Sequence, residues 1–291
     1  MRRRSFLAST LGLFACGSES APANTHPSSA ASARTSNRPQ QNSLRLLSYN
    51  VLADPVHLDQ RLPPLFQEMR DARADVIALQ EVAPWFLEAA EREAWTREYS
   101  FCEVAGRGAD RGGQAFLSKI PVTNPYSVNL RGRQQRTALV VDVDVGDDES
   151  IALATTHMES FLEDGPTRAL QLDAIFGALN RRTSATRVLC GDLNFGEGEE
   201  PDTSHLDATY VDVWNALHPG EVGYTWDIER SEMARVSSFV GEGSRRLDRV
   251  LLRSESWRGE SIEIVGDTPV TPDRRLFPSD HFAILCELRR V

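Results

Sequence analysis

Lysine is all but missing from this chain: Lys119 is the only one in 291 residues, so positive charge rests with arginine. Positive charge is also scarce overall, with 32 basic residues against 42 acidic ones. Residues 1–42 take up five arginines and one glutamate, which leaves the remainder at a net charge of about −14. Such a surface excludes broad electrostatic capture of a nucleic-acid backbone and leaves room only for a local basic patch. Cysteine is sparse as well. Cys102, Cys190 and Cys286 accompany Cys16 without any CxxC spacing, which excludes a disulfide framework and a zinc ribbon. Cys190 and Cys286 lie in apolar runs and read as small buried hydrophobes. No apolar run is long enough to span a bilayer. The glycine-rich stretch from Gly106 to Gly113, with Arg107 and Arg111, is too irregular for a nucleotide-binding GxGxxG turn and reads as a hairpin loop.

What is present begins with Arg2-Arg3-Arg4 ahead of a short apolar run, Phe6 to Ala15, the pattern of an export signal. Arg3 to Leu7 resembles the twin-arginine pattern of proteins exported folded, and Leu13 to Gly17 resembles a bacterial lipobox with Cys16 as the lipidated residue. The expectation is a lipoprotein of the cell envelope that touches the membrane through its lipid anchor alone; the alternative is secretion after cleavage near Ala15. Residues 17–43 are rich in Ser, Ala, Pro, Asn and Thr with no hydrophobic period, the composition of a disordered tether. The folded domain is expected over 44–291, and nothing suggests more than a monomer.

Within that domain, apolar runs stop repeatedly at polar residues. Leu44 to Tyr49 ends in Asn50, and Val76 to Leu79 leads to Gln80 and Glu81. Ile151 to Thr156 ends in His157, with Glu159 and Ser160 behind it, and Val188 to Cys190 turns at Gly191 into Asp192 and Asn194. Each reads as a buried strand delivering a side chain to its end. Asn50 alone would be the cap of a turn, and Glu81 alone would be one half of a salt bridge. Leu62–Arg70, Trp85–Tyr99 and Thr167–Asn180 have helical spacing; Tyr224–Asp227 follows a glycine turn as a short strand. Arg245 to Leu252 carries Asp248 within a strand, and Asp280 with His281 opens the last strand. Arg131, Arg133 and Arg136 form the one notable basic cluster, a solvated loop or a contact for a substrate phosphate.

In that order and with those flanks, Leu79-Gln80-Glu81, Gly191-Asp192-Leu193-Asn194 and Ser279-Asp280-His281 resemble the endonuclease/exonuclease/phosphatase superfamily across Leu44 to Val291. The strings Thr156–Ser160, Val211–Trp214, Tyr224–Asp227, Leu247–Arg249 and Phe277–His281 resemble most the phosphodiesterases that cleave 5′-phosphotyrosyl-DNA bonds. Two positions depart from that group: Gly196 stands where a basic residue is usual, and Leu247 where an aromatic one is. The resemblance implies an α/β fold, a four-layer sandwich of two mixed sheets flanked by helices. It implies hydrolysis of a phosphoester, in nucleic acid or in a lipid or inositol phosphate, with Mg²⁺ or Mn²⁺ held by Glu81 and Asp280. Asp192 would activate the attacking water, while Asn194 and Asn50 position that water, the phosphate or the metal's shell. His281, oriented by Asp248, and His157 would donate to the phosphate, with Trp226 and Arg136 binding the substrate. The residue types suit these roles, because phosphoester hydrolysis needs hard oxygen ligands for a divalent cation, one base, and donors for the phosphoryl oxygens.

Overall fold

The apolar runs form the middles of two β-sheets packed face to face in this computed structural model, which describes residues 24–26, 40–104, 112–273 and 275–291. The arginine-led segment, Cys16 and the stretch from Gly106 to Arg111 lie outside the described residues. In chain order the first elements are β1 (Asn24–His26), β2 (Ser43–Asn50), α1 (Leu58–Asp71), β3 (Val76–Val82), α2 (Pro84–Ala90), β4 (Ser100–Val104) and β5 (Gly113–Ser118). Next come β6 (Val122–Asn129), β7 (Thr137–Gly146), β8 (Glu149–His157), α3 (Gly165–Asn180) and β9 (Thr186–Asp192). The last are β10 (Val211–Asp212), α4 (Val213–Leu217), α5 (Glu232–Ser237), β11 (Asp248–Arg253), β12 (Trp257–Val265) and β13 (Ala283–Arg290).

One sheet runs β1-β4-β5-β3-β2-β13-β12 and the other β10-β11-β9-β8-β7-β6, so both are mixed. The period of two along each strand divides its side chains between the layers. Leu46, Val76, Ala78 and Phe116 meet Leu139, Val141, Leu153, Val188 and Cys190 between the sheets. Leu47, Tyr49, Ile77 and Leu79 face the opposite way, onto Leu65, Phe66 and Met69 of α1 and Phe86 of α2. Leu172, Ile175 and Phe176 of α3 cover the other sheet through Val140, Ala154 and Leu189. The result is the four layers expected. Among the described residues no helix is long and apolar enough to cross a membrane.

Three sequence expectations need correction. The helix expected over Trp85–Tyr99 breaks after Ala90 and resumes as a 3₁₀ turn, Ala94–Glu98. The buried hydroxyl of Thr96 donates to the carbonyls of Ala90 and Glu93, 2.8 Å each, and so satisfies a helix end that would otherwise need to continue. Tyr224–Asp227 is no strand: Trp226 makes an isolated bridge to Arg245. Thr225 is used as a crosslink instead, its hydroxyl accepting from the amides of Leu247 and Asp248 at 3.1 and 3.0 Å. Within the segment read as a tether, Asn24–His26 pairs antiparallel with β4 at a sheet edge.

Register gathers the polar strand ends. Parallel β2 and β3 set Asn50 beside Gln80, and parallel β8 and β9 set His157 beside Asp192. Antiparallel β11 sets Asp248 opposite Asp192. Gly191 makes this close approach possible: its φ is +125°, and a Cβ there would lie 2.2 Å from the Thr156 carbonyl oxygen. Gly191→Ala is therefore expected to destabilise the fold by about 3 kcal/mol or more, read as a lowered urea midpoint with unchanged slope.

Candidate active site

Asp192 ends β9 with its carboxylate buried, and one of its oxygens is a meeting point. Oδ2 accepts from Asn50 Nδ2 at 3.0 Å and lies 3.3 Å from His157 Nε2 and 3.6 Å from His281 Nε2. Oδ1 accepts from the amide of Asn194 at 3.0 Å, which turns the chain out of the strand. Asn194 adopts φ +58°, and its side-chain amide donates to the Met158 carbonyl at 3.0 Å. Asn50 is held at both ends of its amide. Its Oδ1 accepts from the Leu52 amide at 3.1 Å, as in a turn cap, while its Nδ2 faces the two carboxylates, 3.4 Å from Glu81 Oε1.

Glu81 is held by backbone geometry. Its φ is +59°, and Gly112 sits against it so closely that a Cβ on that glycine would lie 2.1 Å from the Glu81 carbonyl carbon. The side chain receives the Ala53 amide on Oε2 at 2.8 Å and lies 3.4 Å from His157 Nδ1. It remains 21% exposed where the Asp192 side chain is 1% exposed, so Glu81 is the carboxylate a solvated ion reaches more readily. His157 also contacts a guanidinium nitrogen of Arg136 at 3.1 Å.

On the far side, His281 Nδ1 stands 2.9 Å from Asp248 Oδ2. Trp226 packs on its ring at 4.9 Å between centroids. Burial alone would lower the His281 imidazolium, but Asp248 and Asp192 outweigh it and hold its pKa up at about 10. Burial, opposed by His281 and reinforced by Asp248, raises Asp192 to about 6. Asp280 is raised too, by burial first and with the Glu81 charge adding to it.

A cavity of about 150 Å³ collects these groups. Of the residues singled out from sequence, Glu81, Arg136, His157, Asp192, Asn194, Trp226, Asp280 and His281 line it, while Asn50 and Asp248 stand behind its wall. The structure adds Ser160, Ser237, Phe239 and Glu242. Phe239 stacks on Phe161 at 5.4 Å and comes from the excursion that Trp226 and Arg245 close at its base. Nothing in its local sequence marked it, because it lies in neither a strand nor a regular helix.

The donor set suits a small divalent cation, since buried carboxylates whose charges raise one another would be relieved by it. Asp192, Asp248 and His281 offer ligand atoms within 4.8 Å of one another. Within that trio, His281 Nδ1 already faces Asp248 Oδ2 at 2.9 Å and Nε2 lies 3.6 Å from Asp192 Oδ2. The trio thus also forms a hydrogen-bonded chain, and Glu81 and Asp280 are further carboxylates facing the cavity, beside an Arg245-paired Glu242. The departure at Gly196 also has a physical cause: a Cβ there would meet a Glu199 carboxylate oxygen at 2.7 Å and Arg245 Cδ at 3.3 Å. Arg245, reaching across from the start of the next segment, fills the place a side chain would take.

Comparison with known proteins follows the same lines. The model of the Endonuclease/Exonuclease/phosphatase family matches residues 47–281. Tyrosyl-DNA phosphodiesterase 2 of Rattus norvegicus is 28% identical over 227 residues, 75% of this chain and 58% of its own length. The same protein of Xenopus laevis is 30% identical over 226 residues, 73% and 57% respectively. The chain thus spans less than two thirds of these curated relatives. In structure it is similar to a D. rerio TDP2 complexed with a single-strand DNA product, with TM-score 0.73, 23% identity, and 86% of this chain and 100% of that one covered. The human Nocturnin catalytic domain with bound sulfate gives TM-score 0.65 at 16% identity, covering 86% and 94%.

The chain of charges makes one pH behaviour specific. In metal-free protein, His281 stays protonated from pH 7 to 9, and Asp248→Asn lowers its pKa, with Asp192 and Asp280 still opposing burial. Imidazole NMR shifts across a titration measure this directly; an unchanged His281 pKa in the variant would remove Asp248 as the cause.

Proposed function

Since the chain belongs to the Endonuclease/Exonuclease/phosphatase family, whose members hydrolyse phosphoric esters, we propose that it is a divalent-metal-dependent phosphodiesterase acting at the 5′ ends of single-stranded DNA, 5′-phosphotyrosyl ends among them. The observation that carries the hydrolytic reading is the convergence of Asn50, His157 and His281 on Asp192 Oδ2. The relatives' names, and the DNA product held by one structural neighbour, support the choice of substrate.

Mg²⁺ or Mn²⁺, held by Glu81 and Asp280, would offset the negative charge that develops on the phosphate. The protein's own groups do the rest. Asp192, with a pKa of about 6, is mostly ionised at neutral pH and close enough to it to accept a proton from an attacking water. Asn50 and Asn194 fix its two oxygens, so the base cannot swing away. His281, kept cationic by Asp248, and His157, braced by Arg136, point ring nitrogens toward the same place and can donate to non-bridging phosphoryl oxygens. Trp226, Phe239 and Leu247 supply an apolar wall where an aryl leaving group or a base can lie. The export signal expected in residues 1–16 would carry this activity to the cell envelope, where free nucleic-acid ends rather than chromosomal adducts are the substrate at hand.

Hydrolysis of a 5′-tyrosyl oligonucleotide, plasmid DNA, RNA and inositol phosphates, compared with and without EDTA, tests the reading. The expected result is metal-dependent release of tyrosine from the oligonucleotide at a rate exceeding those on the other substrates. Metal-independent turnover, or preference for an inositol phosphate, would overturn it. Asp192→Asn should lower kcat by about 10³-fold in protein whose circular dichroism spectrum still shows the native fold. Glu81→Gln should instead raise the Mn²⁺ concentration needed for half-maximal rate, measured by titrating the metal at saturating substrate.

A further inference from the structure

The loop between β6 and β7 forms a second cavity, of about 350 Å³, lined by Asn129, Leu130, Arg131, Gly132, Gln135 and Arg136. Two arginines line it and no carboxylate does, in a domain whose net charge is about −14. Arg136 lines both cavities, which places the second one next to the catalytic one. Arg131 is exposed, and its guanidinium makes no hydrogen bond or ion pair among the described residues. Arg133, two positions on, points elsewhere: it pairs with Glu163 and Asp164 at 2.8 Å each and lies over the ring of Phe161.

The loop is built rather than loose. Leu130 donates its amide to the Arg136 carbonyl at 2.9 Å, and Gln171 of α3 donates to the carbonyl of Arg131 at 2.9 Å. The Gln134 amide donates to the buried Glu159 carboxylate at 2.7 Å, and Gln134 exchanges hydrogen bonds with Ser160. Gly132 rests on Glu159 so tightly that a Cβ would lie 2.1 Å from Oε1. Glu159 thus serves the backbone side of the loop and does not line the cavity. An unpaired guanidinium on a braced backbone beside the catalytic cavity is available to an anion.

We propose that this cavity is a subsite for the next phosphate of the substrate strand, the one 3′ of the first nucleotide, with Arg131 as its contact. The inference rests on the function proposed above and adds where the strand leaves the active site. It also explains how a strongly acidic domain holds an anionic polymer, by a single local contact instead of a basic surface.

The test compares two substrates that differ in this phosphate. The p-nitrophenyl ester of thymidine 5′-monophosphate has only the scissile phosphodiester, whereas a 5′-tyrosyl oligonucleotide has further phosphates. Arg131→Gln is expected to raise KM for the oligonucleotide about tenfold with kcat unchanged, and to leave the nitrophenyl ester unaffected. The slope of log KM against log salt for the oligonucleotide should shrink by about 0.7. Arg133→Gln, which removes the same charge from the same loop, should change neither substrate. An oligonucleotide KM and salt slope unchanged in Arg131→Gln, or equal effects of the two variants, would overturn the subsite while leaving the proposed function standing. Failure of the wild type on both substrates would instead overturn that function, and the subsite with it.

Discussion

The contact between Asn50 and Asp192 is the constraint on which the rest depends, because it joins the two sheets at the point where the chemistry is proposed. Asn50 ends a strand of one sheet and Asp192 a strand of the other, and the hydrogen bond between them is buried. Glu81 and Asp280 sit at the Asn50 side of this seam; His157, Asn194 and Asp248 sit at the Asp192 side. The site therefore has no geometry of its own apart from the spacing of the sheets. Below it the spacing is set by further polar bridges. Gln80 donates across the gap to Thr155 at 2.8 Å, and Thr137 donates across it to Gln114 at 2.5 Å. A purely apolar interface would pack as tightly but would define the relative slide of the sheets less sharply, since apolar contacts are not directional.

Arginine, the one abundant cation, is used at several places inside. Arg61, with no exposed surface, donates to three backbone carbonyls, those of Val56, Asp54 and Pro278. It thereby ties the turn that supplies the Ala53 amide to Glu81 to the segment that leads into Asp280. Arg168 grips Asp202, and Arg246 and Arg249 share Asp212 and Glu197. A planar guanidinium with five donors can satisfy several acceptors at fixed angles, which an ammonium cannot, and that suits the bracing of loops at strand ends. These arginines are bound up in holding the scaffold, so the charge left for a substrate is smaller than the composition suggests.

How much of this was legible in the sequence follows from where each feature gets its signal. The strand ends were readable because an apolar run that stops at Asp, Asn, Glu or His has a period and a break, and both survive in one dimension. The four layers and the family followed from the same runs, and the fold agrees. Trp85–Tyr99 misled because its apolar stripe is real on both sides of the break; the hydroxyl of Thr96 that ends the helix acts through a three-dimensional contact with Ala90. Tyr224–Asp227 misled because β-rich residues there crosslink a loop instead of pairing in a ladder. Arg61 and Phe239 gave no signal: an arginine in an amphipathic helix reads as solvated, and a phenylalanine in an irregular stretch reads as accidental.

The two departures at Gly196 and Leu247 gain meaning from this geometry. At Gly196 a side chain would have to displace the Glu199 carboxylate and press on Arg245. Arg245 is in turn paired with Glu199 and Glu242, so it fills the place without offering the free charge a basic residue there would have offered. A phosphate grip missing on that flank has to be made up on another if an anionic strand is to be held. Within the described residues the β6–β7 loop, where the Arg131 guanidinium is unpaired on a braced backbone, offers such a charge next to the catalytic cavity. On the proposed function, Gly196 and the unpaired Arg131 would move the strand's phosphate contact from one loop to another.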